Sequence, residues 1–191
     1  MAEPRFDPAR TLSVDLPRGR LTLDGSDARL LVSLSAVDEL LESCSADARR
    51  AFGLRAGTEI GRRLVERLGE QLLVGAPVEL IVEHLGGELA LMGLGSLEVE
   101  QWGRALVFGI DQVIGSPRIA GLLADILEGV LQRSLSRDAS LVSLGTEDGR
   151  LRLLVVGRQV KPVVDEWLQQ GTSYGEVLTR LNRSHSDRGV S

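Results

Sequence analysis

The chain has 191 residues, enough for one domain of ordinary size with a substantial core. Apolar residues make up 43% and charged residues 26%, which is the composition of a soluble globular protein and excludes a wholly disordered chain. The formal net charge is −5 and aromatic residues are only 3%. An acidic, aromatic-poor chain is not expected to bind nucleic acid.

Cysteine content and hydropathy indicate the compartment. Cys44 is the only cysteine, so an intramolecular disulfide is excluded and a reducing environment is favoured. No apolar run reaches the roughly 18 residues of a membrane span. Residues 1–10 lack the apolar core of a signal peptide and carry two prolines, so we predict a flexible N-terminus there. We therefore expect a cytoplasmic protein with no membrane span.

The first predicted elements are strands. Alternating apolar and polar residues predict a β-hairpin formed by Leu12–Leu16 and Leu21–Leu23. A further apolar segment, Leu30–Leu34, precedes a short helix that we expect Ser35 to cap.

Ala46–Leu68 is predicted to be a long helix, because apolar residues recur about every four positions between arginines and glutamates. Three glycines, Gly53, Gly57 and Gly61, also lie four apart beside that apolar stripe. Each glycine inside a helix costs about 1 kcal/mol relative to alanine, so three of them require a compensating contact. Close packing against a neighbouring element is one interpretation. Room for a ligand against the helix backbone is the other.

A second helix is predicted over Ala76–Met92, with Pro77 in its first turn and Gly86-Gly87 marking a kink or a close crossing. Leu97–Gln101 and Ala105–Ile110 then alternate as paired strands.

The widest apolar stripe of the chain belongs to the helix that begins after Gly115-Ser116-Pro117. Two further strands, Ala139–Leu144 and Leu151–Val156, flank a turn, and two short helices follow over Val160–Gln169 and Tyr174–Leu181. This order is not the alternating one of a doubly wound fold. It predicts an α+β fold in which antiparallel strand pairs pack on long helices.

Residues that carry out chemistry are scarce. His84 and His185 are the only histidines, and they are too few and too scattered, together with Cys44, to form a zinc or haem site. Gly93 and Gly95 end a helix and lead into a strand, the reverse of a phosphate-binding loop. We therefore expect no catalytic residues, no metal and no cofactor, and we predict that the chain is not an enzyme.

Two segments, LEVEQWGRALVF over Leu97–Phe108 and SPRIAGLLADILE over Ser116–Glu128, resemble the 4-vinyl reductase domain family. That family is related to the Bet3-type subunits of the transport protein particle (TRAPP). The glycine-bearing helix resembles the family's long helix, and the resemblance covers roughly Leu30 to Val156. It implies a mixed α/β fold, a homodimer and a cavity suited to an apolar small molecule or acyl chain.

Some members of that family carry cysteines that can hold a metal in the closing hairpin and at the turn before it. The corresponding positions here are Ser116, Ser143 and Leu151, so the resemblance implies that the metal function is absent.

We divide the chain into a Bet3-like domain over 11–157, a C-terminal helical hairpin over 158–183 and a flexible tail over 184–191. The main hypothesis is a non-catalytic interaction or adaptor module with a protein partner. Its partner face is predicted on the C-terminal helices and consists of Val163, Trp167, Tyr174 and Leu178. Docking of that face on the parent domain is an equal alternative.

The alternative function is the binding or sensing of a small hydrophobic molecule in a cavity between the glycine-bearing helix and the helix with the widest stripe. The residues predicted to line it are Phe52, Gly57, Ile60, Leu64, Ile119, Leu123 and Leu127.

Overall fold

The computed structural model describes residues 5–25, 27–69, 78–103, 105–113, 115–134 and 138–186. Within those ranges it has seven helices and two antiparallel sheets, which confirms the α+β class. The helices are α1 (Pro8–Thr11), α2 (Leu34–Ser43), α3 (Ala46–Leu68), α4 (Val78–Leu91), α5 (Pro117–Ser134), α6 (Lys161–Gln169) and α7 (Tyr174–Ser186). The strands are β1 (Leu12–Asp15), β2 (Arg20–Leu23), β3 (Asp27–Ala28), β4 (Ser96–Trp102), β5 (Ala105–Asp111), β6 (Ala139–Glu147) and β7 (Arg150–Gly157).

The main sheet has the strand order β4-β5-β7-β6 and is antiparallel throughout. Alternate residues of a strand point to opposite faces. Phe108 and Ile110 of β5 therefore enter the larger core with α3, α4 and α5, whereas Val107 enters a smaller core on the other face. Helices therefore cover one face of the sheet and part of the other.

The smaller core fixes the C-terminal helices on the sheet. Val164 of α6 and Val177 of α7 are fully buried among sheet residues such as Val142 and Leu154. Because these helices share a core with the sheet, the segment over 158–183 is docked on the parent domain. Helix α7 extends to Ser186, so the predicted flexible tail begins too early at residue 184, and residues 187–191 lie outside the described ranges.

Helices α3 and α5 cross in direct backbone contact, because glycines lie at the contact points. A Cβ atom built on Gly57 would overlap the carbonyl oxygen of Ile126 and lie 2.9 Å from the amide nitrogen of Val130. Gly129 of α5 similarly faces the backbone of Leu54. The glycines of α3 thus permit a close helix crossing, which is the first of the two interpretations made from their spacing.

The N-terminal segment packs on α4 from its first described residues, and residues 1–4 of the stretch predicted to be flexible lie outside the described ranges. The Phe6 ring occupies the space that a side chain at Gly87 would need, and its edge contacts His84. The Arg67 guanidinium lies 5.4 Å from the centre of the same ring. The glycine pair Gly86-Gly87 therefore lets the Phe6 ring approach the backbone of α4 closely. Pro77, which was predicted in the first turn of this helix, lies outside the described residues.

The apolar segment Leu30–Leu34 follows β3 (Asp27–Ala28), and Leu34 is already the first residue of α2. One local prediction is wrong. The cap of α2 is Ser33 rather than Ser35, since the Ser33 hydroxyl accepts a hydrogen bond from the Ala36 amide.

No helix in the described ranges combines the length and the apolar character that crossing a membrane requires.

Candidate functional site

The residues predicted to line an apolar cavity fall into two groups. Five of them are buried in the larger core between α3, α5 and the sheet: Ile60, Leu64, Ile119, Leu123 and Leu127. Phe52 is 56% exposed and Gly57 faces the α5 backbone, so neither borders an interior space. The prediction was wrong for these two residues because close packing uses the same glycine spacing that a ligand would.

The predicted partner face is also divided. Trp167 and Leu178 are half-buried and pack against the smaller core, whereas Val163 and Tyr174 are exposed. Most of the apolar surface on these helices is therefore used for docking on the sheet.

An open cleft of about 370 Å³ lies where α5 and α6 meet the outer edge of strand β6. Its lining residues come from four elements: Arg50, Gly121, Ala124, Asp125, Glu128, Leu141, Ser143, Lys161, Asp165, Leu168 and Gln169. Binding pockets for small molecules begin at about 300 Å³. The cleft is thus large enough for a small ligand.

Glu128 is buried on the face of α5 that lines the cleft and is held by three donors. Its Oε2 accepts a hydrogen bond of 3.0 Å from the backbone amide of Leu141, and its Oε1 accepts from Arg50 and from Gln132. Gln132 also donates to the carbonyl of Ala139, at 3.1 Å. A buried carboxylate is stable only when it is paired and hydrogen-bonded, which these contacts provide.

Lys161, the only lysine of the chain, lies on the opposite wall in the first turn of α6. Its Nζ donates to the carbonyl oxygen of Leu141 at 2.7 Å and lies 3.2 Å from Oδ2 of Asp165. The backbone N–H and C=O of Leu141, which point away from β7, therefore both bond to side chains from the two walls.

Asp125 stands beside Glu128 on α5 and is paired with Arg50, whose Nη1 lies 2.6 Å from its Oδ1. Burial raises the pKa of Asp125; Arg50 opposes this increase and the charge of Glu128 adds to it. Asp125 is thus more readily protonated than an ordinary aspartate, although it stays next to a cation.

Gly121 and Ala124 form the least crowded part of the α5 wall. A Cβ atom built on Gly121 would meet no atom within 4 Å, in contrast to Gly57 and Gly129. Gly121 therefore has no packing role in this structure. Its effect is to leave the mouth of the cleft wider.

A second charged cluster lies on the uncovered end of the main sheet. Arg150 of β7 extends across Gly109 and bonds to Glu98, Glu100 and Asp111. The hydrogen bonds that Arg150 donates to Glu98 and Glu100 raise the pKa of Arg150 above its ordinary value. These contacts connect β4, β5 and β7, so the cluster stabilises the sheet.

A third cluster is the ion-pair network between α3 and α4. Arg63 Nη2 lies 2.7 Å from Oε2 of the buried Glu88, and Arg67 bridges Glu88 to Asp24 of the N-terminal segment. In the ranges that the structure describes, no group of three histidine, cysteine, aspartate or glutamate side chains is placed to hold a metal ion.

The three positions that the resemblance aligned with metal-binding cysteines have other roles. The hydroxyl of Ser116 donates to Asp38 at 2.6 Å, Ser143 lines the cleft, and Leu151 is buried in the larger core.

The comparisons with known proteins point to the fold. No protein-family model matches this chain, and no curated protein is similar to it. The structure is similar to the crystal structure of the phenol-responsive sensory domain of the transcription activator PoxR with phenol. The TM-score is 0.56 at 15% sequence identity, and the match covers 78% of this chain and 86% of that one. The two domains share a fold. At this identity the similarity extends no further than the fold.

Proposed function

We propose that this chain is a non-enzymatic sensory domain, located in the cytoplasm, that binds a small molecule in the cleft between α5, α6 and β6. The proposal has two supports. The fold resembles that of a domain described as phenol-responsive, and the cleft of about 370 Å³ has the volume of a small-molecule site. It favours the ligand-sensing alternative over the adaptor hypothesis.

Gly121 is the observation that carries the proposal. A glycine in a helix interior costs about 1 kcal/mol relative to alanine, and the other glycines of α3 and α5 are explained by the helix crossing. Gly121 has no neighbour that would exclude a side chain, yet it lies on the cleft wall. An open cleft gives this glycine a function that packing does not.

The test compares two glycine-to-leucine substitutions. Gly121→Leu places a side chain in the cleft, whereas Gly175→Leu places one on α7, where a Cβ also meets nothing within 4 Å. Both variants should fold. Native mass spectrometry with solvent extraction identifies molecules retained by the purified protein, and calorimetric titration with phenol supplies a defined first probe.

We expect the retained molecule, or the bound phenol, to be lost in Gly121→Leu and kept in Gly175→Leu. Equal binding by both variants would overturn a site in this cleft. So would the absence of any retained molecule together with no binding of any small probe titrated, phenol included.

A second candidate function is self-association through the N-terminal sheet, the homodimer expected from the sequence. Val14 lies in β1 opposite Leu21, Leu16 follows β1 in the turn of the hairpin, and Leu23 of β2 is buried. Several apolar side chains of this part of the chain are uncovered: Val14 is 57% exposed, Leu16 82% and Leu31, after β3, 90%.

With Leu30, which is also exposed, these side chains leave roughly 300 Å² of apolar surface, at about 100 Å² for each complete side chain. The largest apolar patch of a typical monomer is of about this size or somewhat larger, and it often has a function. A second copy is the simplest occupant, because a two-fold axis brings the same patch from both chains together.

Light scattering tests this association at micromolar concentration. We expect twice the 20.6 kDa of one chain for the unmodified protein. The double variant Leu16→Lys, Leu31→Lys should give 20.6 kDa, and Leu40→Lys, an exposed position on α2, serves as the control. A single-chain mass for the unmodified protein refutes the dimer.

A further inference from the structure

We infer that the ligand of the cleft is a small organic cation, a primary or secondary amine in its protonated form with a short apolar body. This inference rests on the proposed function, because it specifies the ligand of the same site. Its starting point is the charge of the lining, where three carboxylates face two cations: Asp125, Glu128 and Asp165 against Arg50 and Lys161. The excess is one negative charge.

Both cations of the lining are already bound to acceptors of the protein. Arg50 lies between Asp125 and Glu128, and Lys161 bonds to Asp165 and to the carbonyl of Leu141. An anionic ligand would have to displace a carboxylate from one of them and would remain close to the others. Since like charges at short distance repel, the cleft disfavours carboxylates and phosphates.

The carboxylates are less fully used than the cations. A carboxylate has about four acceptor sites. In the described residues, the ion pairs of Asp125 use Oδ1 and those of Asp165 use Oδ2, which leaves the second oxygen of each for another donor. Asp125 is on the α5 wall and Asp165 on the α6 wall. Carboxylates from two walls of one cleft suit an ammonium group, which has several N–H donors and a positive charge.

The rest of the lining determines the body of the ligand. Gly121, Ala124 and Leu168 provide small or apolar surface, and about 370 Å³ leaves room only for a short chain or a single ring. The described lining has no aromatic side chain, which is the usual partner of a quaternary ammonium group. An amine with N–H donors is therefore favoured over a choline-like ligand.

The experiment is calorimetric titration of the full chain with four probes of similar size. These are 1-butylammonium, 1-butanol as the neutral analogue, butyrate as the anionic analogue and tetramethylammonium as the cation without N–H donors. Phenol is titrated in parallel. We expect 1-butylammonium to bind more tightly than the other four.

Two substitutions remove one carboxylate charge each from the cleft, Asp125→Asn and Asp165→Asn. Each should weaken 1-butylammonium binding by roughly ten- to a hundredfold, the value of one charge-assisted hydrogen bond. Asp148→Asn, in the β6–β7 turn, makes the same chemical change outside the cleft and should leave binding unchanged. Thermal unfolding of each variant shows whether a loss of binding results from unfolding of the protein. Asp165 is half-exposed, so Asp165→Asn is not expected to unfold the protein.

The outcomes separate this inference from the proposed function. Suppose that phenol or 1-butanol binds, that Gly121→Leu abolishes this binding, and that 1-butylammonium does not bind preferentially. The inference of a cationic ligand is then wrong, and the proposal of a sensory domain stands. Amine binding that survives both aspartate substitutions also overturns it. If no probe binds and nothing is retained on purification, both proposals fail.

Discussion

Alanine at Gly57 tests the close crossing of α3 and α5. A new Cβ at this position would overlap the Ile126 carbonyl oxygen, and it would lie 2.8 Å from the carbonyl carbon of Ile126 and 2.9 Å from the amide nitrogen of Val130. Those atoms belong to a helix backbone, so they cannot move aside as a flexible side chain would. The two helices must separate along their whole contact, which includes Gly53, Gly61 and Gly129.

The magnitude follows from two opposing effects. Replacing a helix-interior glycine by alanine stabilises the helix by about 1 kcal/mol. Inserting one carbon into a tightly packed contact costs about 1–3 kcal/mol, and the upper part of that range applies here because backbone atoms are displaced. We therefore expect Gly57→Ala to lower the free energy of unfolding by about 2 kcal/mol.

Gly121→Ala is the matched control, since the same chemical change on α5 meets open space. It should raise the free energy of unfolding by up to about 1 kcal/mol. Urea denaturation followed by circular dichroism measures both variants, and equal m-values make the comparison valid. A shift of both variants in the same direction would refute the distinction between a packed glycine and an open one.

Three further predictions concern other parts of the molecule. Leu123→Ala removes a fully buried side chain and should cost about 2–5 kcal/mol in urea denaturation. Ser116 and Arg118 bond to Asp38 and lower its pKa, so unmodified protein should be more stable than Asp38→Asn at neutral pH. That advantage should decrease as the pH falls below about 4, where the unfolded carboxyl binds a proton, and it should be lost once the pH is below the lowered pKa of folded Asp38. An advantage that persists in stronger acid contradicts this reasoning. Elemental analysis of untagged protein should find no stoichiometric zinc or iron, and one metal per chain would overturn that expectation.

Strong periodicity made most of the fold predictable from the sequence. The helix Ala46–Leu68 has the predicted bounds, and the two hairpins of the main sheet pair as expected. Short segments were less predictable. Leu30–Leu34 is apolar enough for a strand, but no neighbouring strand pairs with it. Ser33 and Ser35 are both able to cap a helix, and only the three-dimensional position of the first turn distinguishes them.

The candidate site was far less predictable, because its residues come from segments that lie far apart in the chain. Arg50 and Lys161 are separated by more than a hundred positions and meet only through the crossing of α3 with α5 and the docking of α6. One signal was present, since Lys161 is the only lysine of the chain. Glu128 gave none: its position falls on the face of α5 opposite the apolar stripe, where a solvated charge is expected, yet the side chain is buried and paired.

Strand β6 is the last strand of the sheet, and open strand edges are where proteins recruit further strands and begin to aggregate. Here side chains occupy that edge: Gln132 on the carbonyl of Ala139, Glu128 on the amide of Leu141 and Lys161 on its carbonyl. An incoming chain would find these backbone groups already bonded. The side chains around the cleft thus also limit the growth of the sheet, and substitutions that loosen them are expected to lower the solubility of the protein before they unfold it.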